Sequence, residues 1–544
     1  MNSVPEVFIQ PLENKEKKPE VVCLYKLYLE KRIKALEQTY QALFVPPLDA
    51  VKVSTPDTKT ENNAPAFSTT NHSILDAFAK FVRDIPEQEV YKCLNLCWNF
   101  SPSMTVQLIM HTRDCRNGKG EKKIGQQAIF WLRKNKPLTY LLNLPLFLES
   151  GYFKDLLKIT DMLNNEPDFY QLGEKDIVEF EVMVQQLKQD VTSLNEKNPS
   201  ISLMAKWAPT EGTHYHSYAS RIAKLMFPNN KTKKADYRKM LSKLREHLRV
   251  VERSICLGDW KSINFAHVPA VAHNKLKKSF QKHQATRYTQ YLQDVKEGKK
   301  EIKTAGIQPH ELVKQYQEKE EELNETIEAQ WRTLIKKLGE AGSLGRALAV
   351  ADVSGSMSGV PMQVSISLSI VLASLANEPF KNKVITFSAV PELFNINGET
   401  LKDKISSVAN MQWNMNTNFE AVFKLLINTA KMYNVKKEDM VDTVFVFTDM
   451  QFDQASGENQ KTLYGTIKDM YEKEGYKIPK LVFWNLRASK DAFPIQSNTE
   501  GVALVSGFSS ELLKLFMDGE DFTPETILKK ALSKYNVSIH KLDL

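Results

Sequence analysis

Ala349-Val350-Ala351-Asp352-Val353-Ser354-Gly355-Ser356-Met357-Ser358-Gly359 is an apolar run that breaks into a loop carrying one carboxylate and two hydroxyls at alternate positions. Leu348 to Ala351 reads as a buried strand, and Asp352, Ser354 and Ser356 follow at its end. Such an oxygen set suits a hard divalent cation. Mg²⁺ prefers octahedral oxygen coordination, keeps several waters, and is often held by one or two carboxylates. The hydroxyls add ligand oxygen without adding charge. A cation held there stays electron-poor and able to accept a carboxylate or phosphate oxygen from a partner.

Two more donors stand at matching places. Thr417 precedes the helical run Phe419 to Met432, and Asp449 ends the apolar strand Thr443 to Thr448. Strand ends and helix starts of this kind are where ligands bind in open parallel α/β sheets. Around them Ala347 to Asp352, Lys383 to Phe387, Leu481 to Asn485 and Val502 to Val505 read as strands. Val360 to Ala376 and Leu401 to Val408 read as helices. Alternating strands and helices imply a doubly wound parallel sheet with helices on both faces. Near-continuous apolar strands fit burial on both faces.

On these residues the C-terminal region resembles von Willebrand factor A domains, which have a Rossmann-like α/β fold. Asp352, Ser354, Ser356, Thr417 and Asp449 match, one by one, the metal-ion-dependent adhesion site of that family. The resemblance implies one Mg²⁺ or Mn²⁺, with Ser354 and Ser356 as direct ligands and the other three direct or through water. This chain departs from many A domains after the second metal aspartate, where Met450 replaces glycine and Asp453 follows.

The remaining composition narrows the class. No apolar run approaches the roughly 20 residues that span a bilayer, so no membrane partner is expected. The start, Met1-Asn2-Ser3-Val4-Pro5-Glu6, lacks a basic segment leading into an apolar core, so no secretory leader is expected. Five cysteines in 544 residues make no disulfide framework and suit a reducing compartment. The expected location is cytoplasmic, or the virion for a viral protein. Cys93 and Cys97, one helical turn apart, read as core thiols.

Charge is unevenly spread. Arg221 to Lys303 holds 21 Lys/Arg against 7 Asp/Glu, a net +14, whereas Ala347 to Leu544 has a net −3. The clusters are Lys231-Thr232-Lys233-Lys234, Lys275-Leu276-Lys277-Lys278 and Lys299-Lys300, interleaved with Tyr237, Trp260, Phe280, Tyr288 and Tyr291. Basic patches with aromatics neutralise phosphates and stack bases. A solvated helical surface is the plainer reading of the same lysines.

Along the chain, Glu20 to Val45 has the spacing of an amphipathic helix, and Pro46 to Ser73 has the composition of a linker. Residues 74 to about 338 show helical spacing and no convincing strand, which suggests an all-α, helical-repeat-like region. The expected division is 1–73 for the N-terminal helix and linker, 74–343 for the helical domain, and 344–544 for the A-like domain. One helix is expected over Ala235 to Leu257 and another over Pro309 to Leu338.

Three strings stand out within the helical region: Arg113 to Glu121, Gly151 to Leu157, and Lys206 to Thr210. Gly118 and Gly120 suggest a backbone turn around a phosphate, with Arg113, Arg116 and Lys119 as cations. No Gly-Lys-Ser/Thr opens the next helix, so this is not a phosphate loop of the Walker type. With the Asp352 to Gly359 and Asp449 to Asp453 segments, these strings resemble an uncharacterised family of plants, fungi and giant DNA viruses. That family joins a helical domain to a C-terminal A domain. Its layout is similar to the Ro (TROVE) ribonucleoproteins, which implies RNA on the helical part.

Three functions compete. The first is a ribonucleoprotein-like protein binding RNA through Arg113, Arg116, Lys119, Lys231, Lys233, Lys234, Lys275, Lys277 and Lys278. The second is a protein scaffold or virion assembly component whose cation accepts a partner's carboxylate. The third, an enzyme, is disfavoured: the sequence holds no nucleophile elbow, zinc signature or phosphate loop.

Overall fold

The computed structural model describes residues 30–38, 52–166, 177–319, 322–386, 391–409, 419–452, 463–488 and 492–544. Thr417 lies outside them. Along the chain come α1 (30–37), the two-residue strands β1 (Thr58–Lys59) and β2 (Pro65–Ala66), α2 (Ser73–Lys80), α3 (Glu87–Phe100), α4 (Pro102–Arg113), α5 (Lys122–Asn135) and α6 (Pro137–Ser150). Then come α7 (Lys154–Asn164), α8 (Val178–Leu194), α9 (Met204–Trp207), α10 (His216–Met226), α11 (Lys233–His247), α12 (Val251–Cys256), α13 (Ala270–Lys296), α14 (Pro309–Lys319) and α15 (Glu325–Gly339). The C-terminal part runs β3 (Ala347–Ala351), α16 (Val360–Leu375), β4 (Lys383–Thr386), β5 (Leu393–Asn395), α17 (Leu401–Ala409), α18 (Phe419–Met432), β6 (Thr443–Thr448), α19 (Leu463–Lys473), β7 (Lys480–Asn485), β8 (Val502–Ser506) and α20 (Pro524–Leu532).

Contacts group the chain into two compact units, one of residues 1–42 and 153–253 and one of 43–152 and 254–544. The border expected at 343/344 therefore falls inside the larger unit, because helices from residues 73–150 and 309–339 pack on the sheet and its helices.

The smaller unit is helical. Phe180 of α8 meets Tyr218 of α10 edge-on at 5.1 Å, with the Arg221 guanidinium 4.7 Å from the Phe180 ring. The Lys206–Thr210 string has a structural role here. Arg245 of α11 donates to the carbonyls of Ala205 and Ala208, and the Tyr237 hydroxyl donates to that of Pro209. These bonds satisfy carbonyls that the four-residue α9 leaves open at its end.

The larger unit holds a six-stranded sheet in the order β5-β4-β3-β6-β7-β8. All neighbours are parallel except the antiparallel edge strand β5. Every residue of β3, β6 and β8 is buried, as expected of strands covered on both faces. Chain order reverses direction at β3, between β4 on one side and β6 on the other. That is the switch point where the ends of two adjacent strands diverge and open a crevice.

Helix α16 shows why its sequence is apolar all round. It lies between the sheet strands β3, β4 and β6 and the helices α14 and α15, and all ten residues from Val364 to Ala373 are buried. Ser365, Ser367 and Ser369 are small enough for close approach, and the Ser365 hydroxyl donates to the Phe447 carbonyl of β6 at 3.4 Å.

Three expectations need correction, and one helical stretch was not anticipated. Ala235 to Leu257 is not one helix but α11 and α12, separated at Arg249, whose φ is +47°. Pro309 to Leu338 is likewise two helices; the Asn324 side chain accepts from the amides of Thr326 and Ile327 and so starts α15 afresh. The segment read as a linker holds the β1–β2 hairpin, whose polar side chains make tertiary bonds. Its Asp57 carboxylate accepts from the Ser68 amide and hydroxyl, and the Asn71 side chain bridges both polar groups of the Val53 backbone. The span of α13, rich in Lys, Gln and His and broken by a kink at Gln284 (φ −143°), had no clear apolar stripe to announce it.

Candidate functional site

Strand β3 ends at Ala351 and β6 at Thr448, and the two are paired in parallel register, Ala351 beside Phe447. Asp352 and Asp449 therefore leave the sheet side by side at the switch point. The Asp352 amide extends the ladder by one bond, to the Phe447 carbonyl at 2.9 Å. Its carboxylate is fully buried and fixed from two sides. Oδ1 accepts from the Ser354 amide at 2.9 Å, and Oδ2 accepts from the Thr448 hydroxyl at 2.8 Å. The first of these bonds turns the chain so that the Ser354 and Ser356 hydroxyls meet at 2.9 Å. A short 3-10 turn over Gly355–Met357 then leads into α16, with Gly359 at φ +91° making the corner.

Asp449 is 1% exposed, and its Oδ1 accepts from the Gln451 amide at 3.1 Å. Met450 holds φ +67°, a conformation that suits glycine and strains a side chain. The β1–β2 hairpin braces Gln451 and Phe452, the next two residues of the loop. The Gln451 side-chain oxygen accepts from the Glu61 amide at 2.6 Å, the Gln451 carbonyl from Asn62 Nδ2 at 2.8 Å, and the Phe452 carbonyl from the Thr60 hydroxyl at 2.8 Å.

Electrostatics make the pair unusual. Burial, and then the charge of Asp449, push the Asp352 carboxyl up to about 6. Two carboxylates so close, walled by apolar strands, repel each other, and a dication between them would offset that repulsion. Among the described residues no group of three or more His, Cys, Asp or Glu gathers around a common point. A cation here would thus rest on two carboxylates plus hydroxyls, the donor mix that suits Mg²⁺ or Mn²⁺. The residues present fit such an ion.

The structure brings together Asp352, Ser354, Ser356 and Asp449. Sequence reading missed Thr448, which orients Asp352, and Arg487, which lies past the end of β7 and donates to the Ser356 carbonyl. Thr448 was legible as the neighbour of Asp449. Arg487 was legible only as one more residue past a strand end.

The basic residues scatter. Lys119 is 1% exposed; its ammonium donates to the Phe78 and Phe81 carbonyls at the end of α2 and to the Ser506 hydroxyl at the end of β8. Burial pulls that ammonium down to about 7, against the pull of Glu121. Arg113 is also buried, its guanidinium 5.2 Å from the Tyr152 ring. Lys277 is buried and bonded to Gln315. These three face the interior and are withdrawn as phosphate contacts. Gly118 and Gly120 serve a fold role too: a Cβ at Gly118 would lie 2.2 Å from the His111 carbonyl, and Gly120 has φ +67°. Arg116, Lys231, Lys234, Lys275 and Lys278 are exposed and Lys233 half-buried. Four of the aromatics expected to stack bases, Tyr237, Phe280, Tyr288 and Tyr291, are buried, and the half-buried Trp260 stacks on His283 at 4.0 Å.

The Domain of unknown function (DUF7788) matches residues 346–541, and the Domain of unknown function (DUF2828) matches residues 60–182 and 180–344. An uncharacterized protein of Acanthamoeba polyphaga mimivirus is 35% identical over 504 residues, covering 88% of this chain and 87% of its own length. No helix among the described residues is long and apolar enough to cross a membrane. The chain thus belongs to the DUF2828 family, continues into a DUF7788 domain, and is related along most of its length to this giant-virus protein.

Proposed function

We propose that this protein is a cation-dependent binding protein whose C-terminal sheet is a von Willebrand A-type domain. Its ligands for Mg²⁺ or Mn²⁺ are Asp352, Ser354, Ser356 and Asp449, with Thr417 as the fifth candidate. The observation that carries this reading is the convergence of two buried carboxylates and two touching hydroxyls at the switch point between β3 and β6. When bound, the ion supplies a Lewis-acidic contact for an anionic group of a partner protein. The chain's own residues prepare that contact: Thr448 and the Ser354 amide hold Asp352, and the hairpin braces the Asp449 loop. The site binds rather than turns over in this reading, because Asp352 is committed to two hydrogen bonds and is not free to act as a base. A giant-virus relative is compatible with an assembly role. Calorimetric titration with Mg²⁺ tests the reading; D352A should lose binding, and unchanged affinity in that variant would overturn it.

RNA remains a second reading on one observation. Lys231, Lys234, Arg238, Lys239 and Lys243 are all exposed, in α11 and the turn before it. Lys234 and Arg238 are partly neutralised by Glu211.

A further inference from the structure

Arg487 is an exposed cation beside the candidate cation site. It lies two residues past the end of β7, next to the switch-point strands, with its amide donating to the Asn485 side chain at 3.1 Å. Its guanidinium reaches across to the β3 loop and donates to the carbonyl of Ser356, the residue whose hydroxyl faces Ser354. One nitrogen is used in this way. A guanidinium has five N–H donors in a planar fork that matches a carboxylate. Among the described residues no ion pair of Arg487 with an acidic side chain is formed.

The charge balance points to the ligand. Asp352 and Asp449 bring two negative charges, a divalent cation would bring two positive ones, and Arg487 adds one more. The loaded site thus carries about one net positive charge. A carboxylate, with one negative charge, neutralises it. A phosphate monoester carries close to two at neutral pH and leaves an excess. A carboxylate is also planar, so the cation and a guanidinium can share it, whereas a lone cation holds an oxyanion without fixing its orientation.

We propose that Arg487 is the anion-selecting residue of this site: it supplies the second contact for a partner's aspartate or glutamate carboxylate held by the cation. The inference rests on the cation-binding reading above. It is distinct from it, because Arg487 donates to a backbone carbonyl and is not a ligand of the ion.

The test uses the full chain loaded with Mn²⁺, whose bound water is followed by proton relaxation. Acetate is the probe; it displaces water from the ion. R487Q and R487K should both still take up Mn²⁺, no more weakly than wild type, showing that the loop is intact. Acetate should bind R487Q about tenfold more weakly than wild type, the loss expected for one charge-assisted hydrogen bond. R487K, which keeps the charge without the fork, should fall between. Inorganic phosphate should compete no better than acetate. Mn²⁺ uptake with unchanged acetate affinity in R487Q overturns this inference alone, as does phosphate binding more tightly than acetate. Failure of the wild-type chain to take up Mn²⁺ overturns the cation reading and this one with it.

Discussion

Removing one charge from the buried carboxylate pair should have opposite effects with and without metal. In chelator, Asp352 is a desolvated carboxylate beside Asp449, raised from 3.8 to about 6. A rise of about 2 units corresponds to about 3 kcal/mol of penalty on the ionised form at neutral pH, at 1.36 kcal/mol per unit. D352N removes the charge and keeps the shape. Its side-chain oxygen still accepts from the Ser354 amide, and its amide nitrogen can donate to the Thr448 oxygen. The metal-free variant should therefore be more stable than wild type by about 1 to 3 kcal/mol at pH 7.5, the lower figure allowing for weaker neutral hydrogen bonds. The sign of the pH dependence is fixed by the same shift. A carboxyl held above its ordinary value gives a contribution fully present below about pH 4 and lost as pH rises through about 6. Wild type should lose stability across that window, and D352N should not. With Mg²⁺ at about 1,000 times its dissociation constant the order should reverse, since binding adds about 4.1 kcal/mol to wild type only. Urea unfolding followed by tryptophan fluorescence, in EDTA and in Mg²⁺, reads both arms. A variant less stable than wild type in EDTA, or one that keeps the full Mg²⁺ gain, would refute this account of the carboxylate pair.

Charge reversal of Arg238, Lys239 and Lys243 to Glu should abolish any salt-sensitive retention of single-stranded RNA on filters, whereas K275E with K278E should change it less if α11 is the surface used; equal effects would remove α11 from consideration. Residues 344–544 expressed alone should expose the apolar faces that α2, α14 and α15 cover, and should aggregate or bind hydrophobic dye; a monomer with cooperative unfolding would show that the sheet does not need them. Lys119, with its ammonium depressed to about 7, contributes stability that is present above about pH 10 and lost as pH falls through about 7, so the wild-type urea midpoint should rise between pH 7 and 10 while that of K119M stays flat. Equal slopes for the two chains would mean that Lys119 keeps its charge in the fold.

The sequence by itself determined the sheet and where its strands end. Five-residue apolar strands and a sixteen-residue apolar helix have too much hydrophobic surface to be anything but interior, and their alternation leaves a parallel order as the economical solution. The position of Asp352, Ser354 and Asp449 just past strand ends was legible because the continuous apolar runs break there. What only the tertiary structure decided is which polar residues face water. Arg113 and Lys119 share one string with the exposed Arg116, and Lys277 shares another with the exposed Lys275 and Lys278, yet the cations of Arg113, Lys119 and Lys277 are engaged by carbonyls, rings and amides inside the fold. Linear charge density does not record that, because a lysine's long stem lets its ammonium reach either solvent or a buried helix end. The hairpin over residues 58–66 was hidden for a related reason. Its polar composition matches that of a loop, and its order comes from partners about 390 residues away, at Gln451 and Phe452. Arg487 likewise gains its meaning from Ser356, 131 residues earlier, once the strand order has placed the two loops side by side.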